Sequence, residues 1–361
     1  MVVAFHASIV FTTTSEIPYL AYRVLTFGWA GVDLFFVLSG FLITGILVDS
    51  RGCSGYFRTF YIRRVLRIFP LYFAYLFLIL VLFRYLWRWY SGEDLWQWTN
   101  PWWFITYLMN WKPSGPHRDP FMGHLWSLAI EEQFYFVWPA VVWLVPRNKL
   151  SLTCALVALG ALVTRCWMSA AGVSAAVIYD RTPCRLDCLA VGAFVAVGVR
   201  DFRPFLDRWA PRVFAASAAG FLVVEALSPK PVWANLPMRT AGASLLALCF
   251  GGVVFRSATS HTGWMHGFFS SRLLCQLGKY SYGIYVLHEV LSEFTVSFVR
   301  NLSSGHLAPA LVLGLKYFYL PALLAGTFAL AWLSWNFLEQ PFLQLKSRVP
   351  YGGRPAASAV P

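Results

Sequence analysis

The chain has 361 residues, of which 58% are hydrophobic and 18% aromatic, while only 12% are charged. A water-soluble fold of that length needs far more polar surface, so a soluble globular protein is excluded and a membrane protein is expected. The formal net charge of +13 has a plain source in the Lys and Arg that gather in cytoplasmic loops of membrane proteins, and it requires no nucleic-acid partner.

In chain order, apolar runs place spanning helices near residues 1–14, 28–48, 68–87, 125–146, 151–170, 184–199, 212–228, 238–255, 273–295 and 309–333. The expected fold is therefore all-α: a polytopic bundle of about ten transmembrane helices. The Trp-rich segment 94–111, broken by Pro101, reads as one interfacial or re-entrant piece. Residues 1–345 form the transmembrane domain, and 346–361 a cytoplasmic, disordered tail. With both termini cytoplasmic, inside segments hold most of the Lys and Arg, Arg63, Arg64 and Arg67 among them. The first span is anomalous, since fourteen residues rise about 21 Å against a hydrocarbon core of roughly 30 Å. It reads as truncated, or as starting upstream of Met1.

Ionisable residues inside a bilayer are costly and point to function. His6 lies in the first apolar helix and Asp33 in the second, within GVDLFFVLSGFLIT. Their similar depth suggests a carboxylate that orients an imidazole base. Ser39 and Gly40 follow on the same helix, as small residues for close helix packing or as a point where a thioester or an acceptor hydroxyl passes. FYIRRVLRIFP sets Arg63, Arg64 and Arg67 at the start of the third span, a cluster suited to phosphates through forked hydrogen bonds, or to lipid headgroups. GHLWSLAIEEQFYFVWP carries His124, Trp126, Glu131 and Glu132. Successive helical residues point about 100° apart, so at most one of the two acids faces a central cavity. Arg185 and Asp187, at the outer end of the sixth span, either pair with each other or line an acceptor cleft. LGKYSYGIYVLH supplies Lys279, Tyr282, Tyr285 and His288, the last read as structural. Cys184 and Cys188 are one turn apart with no third ligand nearby, so no metal is expected.

In this order, GVDLFFVLSGFLIT, FYIRRVLRIFP, HLWSLAIEEQFYFVWP and LGKYSYGIYVLH resemble the acyltransferase-3 family of bacterial integral membrane O-acyltransferases. The resemblance runs from His6 to FLEQPFLQLKSR, nearly the whole chain. It implies transfer of an acyl group, acetyl by default, from cytoplasmic acyl-CoA to a hydroxyl of a surface glycan, glycolipid or related sugar. It also implies a place in the bacterial cytoplasmic membrane. His6 matches the family's catalytic His, and Arg64 with Arg67 match its Arg-x-x-Arg donor motif. Glu131 is the acid of its Trp-Ser-Leu-x-x-Glu pattern, and is preferred to Glu132 on that ground. The site expected is thus His6, Asp33 and Glu131 for chemistry, Arg63, Arg64, Arg67 and Ser39 for acyl-CoA, and His124, Trp126, Arg185 and Asp187 for the acceptor. Trp126, with Trp102, Trp103 and Trp111, offers rings for a sugar face. One departure is that the family's first helix opens with an Arg well before its His, whereas this sequence has five residues before His6. No hydrolase-like domain is expected after the last span. The rival reading, a flippase for an anionic lipid-linked glycan, predicts broken helices in two related halves, and the sequence offers no such repeat.

Overall fold

A computed structural model describes residues 1–8, 19–92, 100–113, 119, 121–228, 234–304 and 309–352. Its helices are α1 (Val2–Ser8), α2 (Tyr19–Thr26), α3 (Gly31–Asp49), α4 (Tyr56–Phe77), α5 (Arg84–Ser91), α6 (Pro101–Ile105), α7 (Trp126–Leu144) and α8 (Leu150–Ala170). They continue as α9 (Ala175–Asp180), α10 (Thr182–Asp201), α11 (Arg203–Leu227), α12 (Ala243–Thr259), α13 (Trp264–Phe269), α14 (Arg272–Ser304), α15 (Pro309–Ser334) and α16 (Gln340–Gln344). No strand occurs among the described residues, as a bilayer demands of a chain that must satisfy its backbone within each segment. Among the described residues, π-helical turns at Leu78–Phe83 and Trp335–Glu339 join consecutive helices, and one at Met238–Gly242 leads into α12.

Among the described residues, seven helical stretches are long and apolar enough to cross a membrane: Arg23–Asp49, Tyr56–Tyr90, Arg147–Ala170, Ala175–Asp201, Arg203–Leu227, Met238–Thr259 and Phe318–Arg348. The expected count of about ten is not confirmed by these seven. The runs at 125–146 and 273–295 do form helices, but Glu131 and Glu132 in one, and Lys279, His288, Glu289 and Glu293 in the other, dilute their apolar character. The expected first span is helical over Val2–Ser8, and its remainder lies outside the described residues. Within 94–111, α6 and a single turn at Met109–Trp111 are far too short to span. Asn100 caps α6 by accepting from the Trp102 amide, with Pro101 in the first turn. Residues 346–352 return to α4, where Tyr351 meets Arg63. Residues 353–361 of the expected tail lie outside the described set.

The core is built on α10, which packs against α3, α8 and α12. At the α3–α10 crossing a Cβ on Gly40 would sit 2.0 Å from the Leu189 carbonyl oxygen, and one on Gly192 would sit 1.9 Å from that of Val37. Only hydrogen fits there, so the two backbones meet directly, as small residues permit in membranes. Phe36, Ile43, Leu47, Tyr72, Leu128 and Val142 fill the interior around this seam. On α8, Leu152, Leu156, Leu159 and Val163 form an exposed stripe at helical spacing, the face a helix turns toward lipid.

Candidate active site

One end of the bundle gathers three imidazoles. His6 on α1 donates from Nδ1 to Oε2 of Glu289 on α14 at 2.5 Å. The His288 ring lies 4.9 Å from that of His6, and the His124 ring 5.0 Å from that of His288. Hydrogen bonding assigns the tautomers. His288 donates from Nδ1 to the Tyr285 carbonyl at 2.6 Å, and His124 donates from Nε2 to the Val286 carbonyl at 3.2 Å. The His6–Glu289 bond leaves the other nitrogen of His6, Nε2, as its free acceptor. The His6 and Glu289 side chains keep 18% and 13% of their surface, whereas His288 is fully buried and His124 nearly so. Ligand atoms of His6, His288 and Glu289 lie within 4.8 Å of one another, a set with the donor chemistry of a metal site. The expectation of no metal rested on the cysteines alone and did not consider this trio.

From His124 a buried polar file runs along α7. Ser127 shares a 2.5 Å hydrogen bond with the Tyr285 hydroxyl, which itself donates to the His124 carbonyl. One turn further, Glu131 accepts from Ser39 at 2.5 Å and from Tyr135. Positions 124, 127, 131 and 135 share one helical face. They carry the file over roughly 17 Å of helix axis, to the point where the Arg64 guanidinium lies 5.4 Å from the centre of the Tyr135 ring.

That second end is cationic. Arg67 and Lys279 both approach the Trp335 ring, at 5.7 and 4.9 Å, and Arg63 approaches Tyr351 at 5.6 Å. Lys346 is within electrostatic reach of Arg67, Arg64 and Arg63. None of the three arginines forms an ion pair among the described residues. Beside Arg64 opens a cavity of about 430 Å³, lined by Tyr61, Phe69, Tyr107, Glu132 and Tyr135 among others. Of the two adjacent acids, Glu132 thus faces a cavity, while Glu131 is enclosed by Ser39 and Tyr135. Tyr107 holds a left-handed backbone, φ 56°, stacked on Tyr72 at 4.4 Å with its carbonyl accepting from Gln133 at 2.7 Å.

Five expectations change with this geometry. Asp33 does not reach His6; it is buried against Arg185, 2.6 Å away, with the Cys188 thiol as a second donor. Glu131 does not reach His6 either, since it lies two turns along α7 from the imidazole cluster. Arg185 and Asp187 do not pair with each other, because Asp187 accepts from Arg165 at 2.7 Å and from Ser244 at 2.9 Å. The space beside Arg185, Arg165 and Tyr179 is only about 20 Å³, room for one water and not for a sugar. Trp126 is buried between Phe36 and Tyr179, so it has no open face for a pyranose. Trp102 and Trp111 do retain exposed rings. Ser39 is a hydrogen-bonding partner of Glu131, while its neighbour Gly40 takes the packing role.

Glu289 interrupts its apolar span, as ionisable residues do, but it was missed as a site residue because only the packing of α14 on α1 brings it to His6. Lys279 and Lys346 were missed as partners of the arginines for the same reason. The Trp335 ring near both Arg67 and Lys279 links them in the fold.

A helical bundle embedded in lipid, with an imidazole–carboxylate pair at one end and a basin of unpaired guanidinium groups at the other, has the make-up of a membrane acyltransferase. The chain belongs to the acyltransferase-3 family, whose acyltransferase-domain profile matches residues 1–337. Among curated proteins it is 27% identical over 348 residues to the peptidoglycan O-acetyltransferase OatA of Listeria monocytogenes, a match covering 90% of this chain and 53% of that one. It is 29% identical over 343 residues to the putative peptidoglycan O-acetyltransferase YrhL of Bacillus subtilis, with 88% and 51% covered. A putative O-acetyltransferase of Staphylococcus aureus is 26% identical over 344 residues, with 88% and 53% covered. The chain thus spans about half the length of these relatives. No solved structure matches it.

Proposed function

We propose that this chain transfers an acetyl group from acetyl-CoA to a hydroxyl of a cell-surface glycan, with His6 as the general base. The reading is carried by one observation: an accessible imidazole whose Nδ1 is already engaged by a carboxylate, so that Nε2 stands ready for a proton. The relatives' names point to peptidoglycan as the acceptor. The arginine basin supports a polyanionic donor, because unpaired forks suit phosphates, and the polar file on α7 leads from that basin toward His6. In the transfer, Nε2 takes the hydroxyl proton as the oxygen bonds to the thioester carbonyl carbon. The C–S bond then breaks and the thiolate recovers the proton, yielding ester and free thiol.

Membranes containing the protein, incubated with labelled acetyl-CoA, should pass label into extractable glycan, and His6→Ala should abolish that transfer while leaving expression intact. Residual transfer above a tenth of the wild-type level removes His6 from the chemistry. We further propose a cytoplasmic-membrane location with both termini cytoplasmic. In a chain freed of its native cysteines, Asp207→Cys should be shielded from an impermeant thiol reagent added outside and Lys230→Cys should react. The reverse pattern puts the arginines on the wrong face for coenzyme A.

A further inference from the structure

We infer that Glu289 is the positioning residue for His6: its carboxylate holds the imidazole with Nδ1 protonated and Nε2 bare toward the acceptor hydroxyl. The inference rests on His6 being the base. Glu289 Oε2 lies 2.5 Å from His6 Nδ1 although the two residues are 283 apart in sequence, so the contact exists only because α14 packs on α1. Four other acids of the bundle are engaged elsewhere. Asp33 holds Arg185, Glu131 holds Ser39 and Tyr135, Asp187 holds Arg165, and Glu225 holds Arg23.

The surroundings explain how the ring is kept in place. His288 lies against one side of His6, 4.9 Å centre to centre, and the edge of Phe5 against another at 5.6 Å. His288 cannot substitute for His6, because its Nδ1 is fixed on the Tyr285 carbonyl and its side chain is fully buried. When Nε2 accepts the hydroxyl proton, the imidazolium forms directly against a carboxylate. In a low-dielectric interior such a neighbour is worth far more than in water. The pair then carries no net charge at the moment of transfer, which suits a site enclosed by lipid.

The test is a double-mutant cycle in membranes, reading label passed from acetyl-CoA to extractable glycan, paired with nitrogen-15 NMR of the His6 ring. Glu289→Gln should lower the turnover rate roughly a hundredfold while the Michaelis constant for acetyl-CoA stays within about threefold. Glu289→Asp should recover most of that loss. Glu289→Gln combined with His6→Ala should be no worse than His6→Ala alone, because a group that acts through His6 has nothing left to orient. In the NMR measurement Glu289→Gln should convert His6 from one tautomer to a mixture, a result that needs no turnover. A dead His6→Ala beside a normal Glu289→Gln overturns this inference and leaves the base assignment standing, whereas an active His6→Ala removes the base assignment itself. An unchanged His6 tautomer in Glu289→Gln also overturns it. So does activity that a chelator abolishes and zinc restores in wild type only, which would make Glu289 a metal ligand.

Discussion

Two regions of this bundle bury an acid against a base, and they do so differently. At the α3–α10 seam Asp33 and Arg185 are sealed from solvent, on the same two helices that meet at the Gly40–Gly192 contact two turns along, with the buried Arg165–Asp187 pair nearby. At the His6 end both members keep some exposure, and the base has a nitrogen to spare. The comparison separates two uses of a charge in a membrane. A closed, fully paired charge fixes how helices meet, while an open pair can exchange a proton with something that arrives.

That contrast can be broken most sharply at Asp33. Removing one member of a buried pair strands the other, at about 3–5 kcal/mol, so Asp33→Ala should lower the melting temperature of the purified protein severely or prevent its accumulation. Asp33→Leu together with Arg185→Met replaces the pair by apolar groups and should restore most of that melting temperature, with transfer activity returning alongside. A well-folded but inactive double variant would move Asp33 back into the chemistry. Next in size comes the cationic basin. Arg64→Lys and Arg67→Lys keep the charge but lose the fork, and each charge-assisted bond lost is worth about 1.5–3 kcal/mol. The apparent Michaelis constant for acetyl-CoA should rise roughly ten- to a hundredfold, with the acceptor constant hardly moved. Unchanged donor kinetics would turn the basin into a lipid-headgroup clamp, for which Lys serves as well as Arg. The smallest effect is expected at Gln133, which bonds Tyr107, Asn110 and Thr182 at once. Gln133→Ala should cost about 1–3 kcal/mol of stability and loosen the wall of the cavity beside Arg64, read as a lower melting temperature with His6-dependent turnover preserved.

Much of the fold could be read from composition, because a helix in lipid is apolar on nearly every face and its run of residues stands out. The apolar signal is weakest where helices carry polar residues for a purpose, as in α7 and α14, whose acids and histidines lower their hydropathy while building the candidate site. Azimuth was not legible. A residue's partner depends on which way its face points and on which helix packs there, so Asp33 turned to α10, and His6 found a carboxylate on a helix almost three hundred residues away. The arginines were visible as a motif. Lys279 and Lys346 joined them only through the return of the chain's far end onto α4.

That return depends on the π turn at Trp335–Glu339. A π turn holds one residue more than an α turn and rotates everything beyond it by about 100° relative to an unbroken helix. Trp335, the first residue of the turn, lies near both Arg67 and Lys279, and the phase of the following turns brings Lys346 and Tyr351 round to Arg63. The last stretch of the chain is clocked to the donor end like a gear with one added tooth, and losing a single residue between 335 and 339 would leave every side chain after it facing the wrong way.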